Sequence, residues 1–251
     1  MKHWSPHLLL LLSGILACCP LTAEPPGEKP FVQYDEKPAR YLKRLHRKGT
    51  PQSTTARFSF RKDYPGGFVA WQTDARGTLE KLLGLHQISE DVGNHRAVVR
   101  LGKTTQEDGY RRQLGEIETE PGVSIPFWLL VPDGTTGKPR PLALCAHGHD
   151  RDGWNTYAGV YRNEEHRSGT LSKDGNVGVQ AVQRGFITVV PATRGLAEAV
   201  SVPDPKGRHG NRPCRAQLIH CLLAGRTAIG ERVWDTQRIL DWALAELPGI
   251  N

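Results

Sequence analysis

Apolar positions along this chain recur first at helical and then at strand spacing. Phe68, Trp71, Ala75, Leu79 and Leu82 are three and four apart, which puts them on one face of a helix ending near Gly84. From Arg112 the pattern is that of strands: Gln113 to Glu120, a turn at Pro121-Gly122, Val123 to Val131, and a turn at Pro132-Asp133-Gly134. These predict an antiparallel pair. The run Pro141-Leu142-Ala143-Leu144-Cys145-Ala146-His147-Gly148-His149 then reads as a strand covered on both faces of a parallel sheet, with Gly148 letting the backbone turn sharply at its end. A loop through Tyr157 and His166, a short helix from Val177 to Arg184, a turn at Gly185 and a second buried strand, Phe186 to Pro191, complete a parallel βαβ unit. After a polar loop with Pro203, Pro205, Gly207 and Gly210 comes an amphipathic stretch from about Arg215 to Leu247. Its apolar stripe is Leu218, Leu222, Ile229, Val233, Ile239 and Leu240, with a break expected near Gly225 or Gly230.

The N-terminus adds a targeting signal to this picture. Lys2 and His3 precede the apolar run Leu8 to Ala17, too short to span a bilayer and long enough for a signal-peptide core. Residues 1–23 are therefore expected to be a signal peptide and the protein to be exported, with cleavage after Leu21-Thr22-Ala23. A second reading makes Ile15-Leu16-Ala17-Cys18 a lipoprotein signal, with Cys18 carrying the anchor. Residues 24–66, rich in proline and charge without sustained periodicity, read as a linker, residues 67–111 as a helical extension, and residues 112–251 as an α/β domain. Without the signal the chain keeps Cys145, Cys214 and Cys221, which is not a disulfide framework. Cys145 reads as a core residue, and Cys214 and Cys221 can bridge only if one lies outside the helix that carries the other.

The 251 residues are 38% hydrophobic and 24% charged, which fits a globular chain and excludes a disordered or membrane-bundle class. Much of the net charge of +7 lies between Arg40 and Lys48. In an exported protein that argues for a solvated basic face, or attraction to an acidic polysaccharide or envelope surface, rather than a nucleic-acid partner. No transmembrane helix is expected.

Several short motifs, in order, carry a resemblance. Trp71…Arg76…Leu82-Leu83-Gly84-Leu85, Glu118-Thr119-Glu120-Pro121-Gly122-Val123, His147-Gly148-His149, Arg194-Gly195 and Gly225-Arg226-Thr227…Gly230-Glu231-Arg232-Val233-Trp234-Asp235 resemble secreted bacterial α/β hydrolases of the acetyl xylan esterase-like and dienelactone hydrolase-like group. The resemblance implies the N-terminal half of an α/β-hydrolase fold: a mostly parallel sheet with helices on both faces, preceded by the helical extension. It implies a serine-dependent carboxylic ester hydrolase acting on small-molecule or polysaccharide esters. In such enzymes the His-Gly loop builds half of the oxyanion hole, which assigns that role to Gly148 and His149, with the His149 N–H as donor and His147 and Arg194 supporting the site. The sequence departs from the pattern in two places. No Gly-x-Ser-x-Gly elbow, with its later acid and histidine, occurs among the 251 residues, and Ala192 stands where such hydrolases place an aspartate. The expectation is an incomplete copy without a catalytic nucleophile, inactive by itself, whose His-Gly strand lies on an open edge prone to aggregation. The rival is a non-enzymatic secreted remnant or a carbohydrate- or envelope-binding module.

A metal-dependent hydrolase using His147 and His149 is the third reading, but Arg151 occupies the position where a dinuclear zinc site of this pattern needs aspartate, and Asp152 follows one place late. His209, Cys214, His220 and Cys221 form a second candidate cluster, in which His220 and Cys221 diverge by about 100° on a helix. No metal is expected. Neither a Walker loop nor a Gly-x-Gly-x-x-Gly fingerprint occurs, and no cofactor is expected.

Overall fold

Residues two apart in a strand share a face, so a strand with apolar residues at consecutive positions needs cover on both sides. The computed structural model of the chain, which describes residues 58–134, 139–150, 152–200 and 213–250 together with Arg40, supplies that cover with helices. Its elements are α1 (Gly67–Leu83), α2 (Leu85–Val92), β1 (Val98–Glu107), β2 (Tyr110–Glu120), β3 (Val123–Pro132), β4 (Leu142–Leu144), α3 (Gly153–Tyr157), α4 (Glu164–Leu171), α5 (Val177–Gln183), β5 (Ile187–Pro191), a 3₁₀ turn (Glu198–Val200), α6 (Pro213–Leu223) and α7 (Ala228–Glu246). Phe60–Asn251 group into one unit by their contacts, apart from Met1–Ser59. Residues 1–23 with Cys18, the basic run beyond Arg40, and the loop of Pro203 to Gly210 lie outside the described residues.

The strands form one sheet in the order β1-β2-β3-β5-β4. β1/β2, β2/β3 and β3/β5 pair antiparallel, and β4/β5 pair parallel. The sheet is thus mixed where a mostly parallel one was expected; the predicted βαβ unit supplies its parallel pair. The hairpin turn falls at Pro121-Gly122, between the paired Glu120 and Val123, as the sequence indicates. β1 is the strand that the pattern did not show. It lies within the stretch read as a helical extension, and eight of its ten residues are exposed, so no alternation of burial marks it. Its ladder to β2 holds it in place.

Alternation along β3 and β5 sorts the core into two layers. Tyr110, Leu130 and Val190 face Trp154 of α3 and Val179 and Val182 of α5. On the other face Ile117, Ile125, Phe127, Leu129, Ile187 and Val189 meet Ile239 of α7. Each such side chain contributes about 1.5–3 kcal/mol on full burial, and β5, buried at every position, is the center of both layers.

Other expectations change, and the condition on Cys214 and Cys221 is decided against a bridge. β4 is three residues long and half-buried instead of a longer strand covered on both faces, and it lies at the sheet edge, where the strand order implied by the resemblance puts it. One more ladder bond, Cys145 N–H to Val189 O at 2.9 Å, precedes the departure of the chain, and Cys145 is half-buried rather than a core residue. The expected loop through Tyr157 and His166 contains α3 and α4. Cys214 and Cys221 are both free and both on α6, where seven residues of helical rise separate them by about 10 Å, beyond disulfide reach. The amphipathic stretch breaks between α6 and α7 at Gly225, one of the two expected positions. However, Leu218, Leu222, Ile229 and Leu240 are exposed by 37 to 66%. The buried face of α7 is Ala228, Gly230, Trp234, Asp235, Ile239 and Ala243 instead.

α1 forms as predicted and ends at Gly84, yet none of its residues is buried. The rings of Phe60, Phe68 and Trp71 cluster within 5.2 to 5.7 Å of one another. Its C-terminus is fastened at Leu83, whose carbonyl accepts from Thr227 Oγ1 at 2.7 Å. A Cβ on Gly230 would stand 2.0 Å from that same oxygen, so only glycine allows the approach.

Candidate functional site: an oxyanion loop at the end of β4

Beyond β4 the chain turns through His147-Gly148-His149-Asp150. His147 is 4% exposed and wedged between this loop and the exit of β5. Its Nε2 lies 2.9 Å from the backbone N of Thr193. A backbone N–H can only donate, so Nε2 is the bare acceptor and the ring proton sits on Nδ1. Nδ1 is 2.9 Å from the Gly148 carbonyl and donates to it. Thr193 Oγ1 donates to the His147 carbonyl at 3.2 Å, a second link between the two strand ends. Burial pushes the pKa of His147 below its ordinary value, as does the charge of Arg232; the Gly148 carbonyl and Asp150 oppose this. The ring is neutral at neutral pH.

The Gly148 carbonyl also accepts from Asp150 N–H at 2.8 Å. Held by two donors, it points toward the buried His147 ring. A trans peptide places the N–H of the next residue on the opposite side of the same plane, so the His149 N–H faces away. Among the described residues it donates to no protein acceptor. Gly148 and His149 are exposed. A backbone donor without an acceptor among the described residues, on an exposed loop, is the kind of group that can stabilize a carbonyl oxyanion.

The loop is braced by residues that the sequence did not single out. Gly153 opens α3 directly against the imidazole, where a Cβ would lie 2.6 Å from Nδ1. Asn155 Oδ1 accepts from Trp128 Nε1 at 2.8 Å, and Asp152 pairs with Arg162 at 2.9 Å. Arg112 reaches the carbonyls of Ala158 and Gly159. Beside the loop at Asp150 is a cavity of about 590 Å³, whose wall includes Tyr157, Arg162, Asn163, His166 and Lys173. Gly153 sits in a stretch that reads as an ordinary turn, and only its distance to His147 shows its role.

Both nitrogens of His147 are committed to the backbone, which leaves no lone pair for an ion, while His149 is an exposed neighbour. The described residues contain no cluster of three metal-ligating side chains.

Arg194 lies elsewhere in the bonding scheme. It is 8% exposed and donates to Asp235 from Nε at 2.9 Å and from Nη2, and to Glu120 from Nη1 at 2.7 Å. Glu120 binds Arg226 through its other oxygen at 2.7 Å, Arg226 binds Asp91, and Thr119 donates to Asp235 at 2.6 Å. Burial alone would lower the pKa of Arg194, but Asp235, Glu120 and Glu231 raise it well above the ordinary range. These bonds fasten the end of β2, the exit of β5 and α7, beside a cavity of about 740 Å³. Among the described residues no bond joins Arg194 to the His147 loop.

A mixed sheet with helices on both faces is the architecture that the α/β-hydrolase resemblance implies. A model of the Abhydrolase family matches residues 46–246, and the chain belongs to that family. A solved structure from Bacteroides fragilis, proposed to be an acetyl xylan esterase, aligns with a TM-score of 0.63 at 20% identity over 88% of this chain and 54% of that one. The chain thus spans about half the length of that structure. Acetyl xylan esterase 1 from a Thermoanaerobacterium species gives a TM-score of 0.42 at 12% identity, over 68% of this chain and 47% of its own. A methylesterase gives 0.41 at 21% identity, over 70% and 32%. No curated protein matches.

Proposed function

We propose that this chain carries the oxyanion side of a carboxylic ester hydrolase of the acetyl xylan esterase-like kind, acting on small-molecule or polysaccharide esters. The observation that supports this is the His149 N–H, which donates to no acceptor among the described residues and lies opposite the Gly148 carbonyl that His147 holds, on the exposed loop that follows β4. The 251 residues contain no Gly-x-Ser-x-Gly. An oxyanion donor contributes about 3–4 kcal/mol to transition-state stabilization but forms no acyl-enzyme, so these residues by themselves do not turn over an ester.

Two measurements test this. The 251-residue chain hydrolyses p-nitrophenyl acetate no faster than a denatured control; turnover abolished by a serine-directed phosphonate overturns the assignment. Methylphosphonate, a tetrahedral anion, shifts the His149 amide resonance in ¹⁵N–¹H spectra, and absence of any shift removes the oxyanion role. Residues 1–23 are read as an export signal, so the N-terminus of the exported protein is Glu24, or a lipidated Cys18 if the lipoprotein reading holds.

A further inference from the structure

We propose that His147 is the positioning residue of the oxyanion loop, setting the direction of the His149 N–H through the peptide it shares with Gly148; this rests on the oxyanion reading above. The Gly148 carbonyl and His149 N–H belong to one rigid peptide unit, and they rotate together. Gly148 itself resists rotation poorly: a Cβ built there meets nothing within 4 Å. The carbonyl is held instead by the Nδ1–H of His147 at 2.9 Å and by Asp150 N–H at 2.8 Å. The imidazole is held in turn by the N–H of Thr193, at the exit of the fully buried β5, and by the side-chain-free face of Gly153. The direction of an exposed donor is thereby tied to the most buried strand of the sheet. The device needs the Nδ1–H tautomer and fails with the proton on Nε2.

The two nitrogens have separable roles, and amide side chains separate them. Asparagine places its NH₂ near the position of Nδ1 and retains the bond to the Gly148 carbonyl. Glutamine places its oxygen near Nε2 and keeps the bond from Thr193 while losing the donor to Gly148. Residual dipolar couplings of the His149 N–H, with methylphosphonate titrations, are measured for the wild-type chain, His147→Asn and His147→Gln. The expected result is an unchanged N–H direction in His147→Asn, and in His147→Gln a reoriented N–H with affinity for the anion lowered about tenfold. Equal behaviour of the two variants, whether both retain or both lose the direction, overturns the inference, as does the reverse order. Should either variant fail to fold, long-range ¹⁵N–¹H spectra of the wild-type ring decide: protonated Nδ1 with bare Nε2 supports the inference, and protonated Nε2 overturns it. If the wild type binds no methylphosphonate but the N–H directions separate as expected, the oxyanion reading fails and the positioning role stands.

Discussion

Gly148, which the sequence marks as the turn after β4, has room for a side chain, and Gly153, to which the sequence assigns no role, does not. Gly148 stands out because it follows an apolar strand and a histidine, yet its φ is not positive and a Cβ there enters open space. Gly153 looks like part of a turn, but a Cβ there would overlap the ring of His147 at 2.6 to 2.8 Å. Gly148→Ala is therefore expected to leave stability within about 0.5 kcal/mol of wild type, and Gly153→Ala to destabilize by about 1–3 kcal/mol through overpacking, both measured by urea unfolding. A larger loss at Gly148 than at Gly153 contradicts this. The same ring predicts a pH dependence. Its folded pKa is lowered by burial, so below the unfolded value of about 6.5 the unfolded chain binds more protons than the folded one. The stability due to neutral His147 is complete above that pH and is lost as pH falls toward the folded value. Asp150 and Arg232 are the charges acting on it. His147→Asn should flatten the decline of unfolding free energy as pH falls below about 6.5. The motif His-Gly-His was legible in the sequence because it is contiguous; the supports from Thr193 and Gly153 were not, because only folding brings them to the ring.

At the scale of elements, three of the five short motifs that carry the family resemblance meet one another. Thr119 and Glu120 close β2, Arg194 follows β5, Arg226 precedes α7, and Glu231 and Asp235 lie on it, all joined in one ion and hydrogen-bond cluster. Trp234 Nε1 adds a bond to the Thr119 carbonyl at 3.0 Å. The cluster also explains why the apolar stripe of α7 was misread. The pattern counted large apolar residues, whereas the inward face carries Asp235 and the small residues Ala228, Gly230 and Ala243. A buried carboxylate satisfied by arginine is invisible to hydropathy. Asp235→Ala leaves Arg194 buried with its main partner gone and is expected to cost about 3–5 kcal/mol in urea unfolding. An exposed pair of similar geometry, Arg238 with Asp241, should contribute under about 1 kcal/mol when Asp241 is replaced by alanine. Equal losses at the two sites would show that burial does not set the difference.

The two edges of the sheet differ in how they resist another chain. β1, at one edge, carries Arg100 and Lys103 and a register shift between Leu101 and Thr104, devices that discourage a further strand. β4, at the other, is Leu142-Ala143-Leu144, with no charge or bulge within it, and its N-terminal neighbour Arg140 makes a parallel bridge with Ile250. The strand order that the resemblance implies puts the His-Gly strand at an edge, as observed. Sequence reasoning missed the protected one because β1 has no buried alternation to show that a strand is there. We propose that the 251-residue chain associates through β4, with the edge of Leu142 to Leu144 pairing with a second copy. The apparent mass in sedimentation velocity should then rise with concentration. Ala143→Lys, which sets a charge on the β4 edge, should shift the association to higher concentration, whereas Thr105→Lys on β1 should leave it unchanged. A monomer at every concentration, or equal effects of the two substitutions, rules out association through β4.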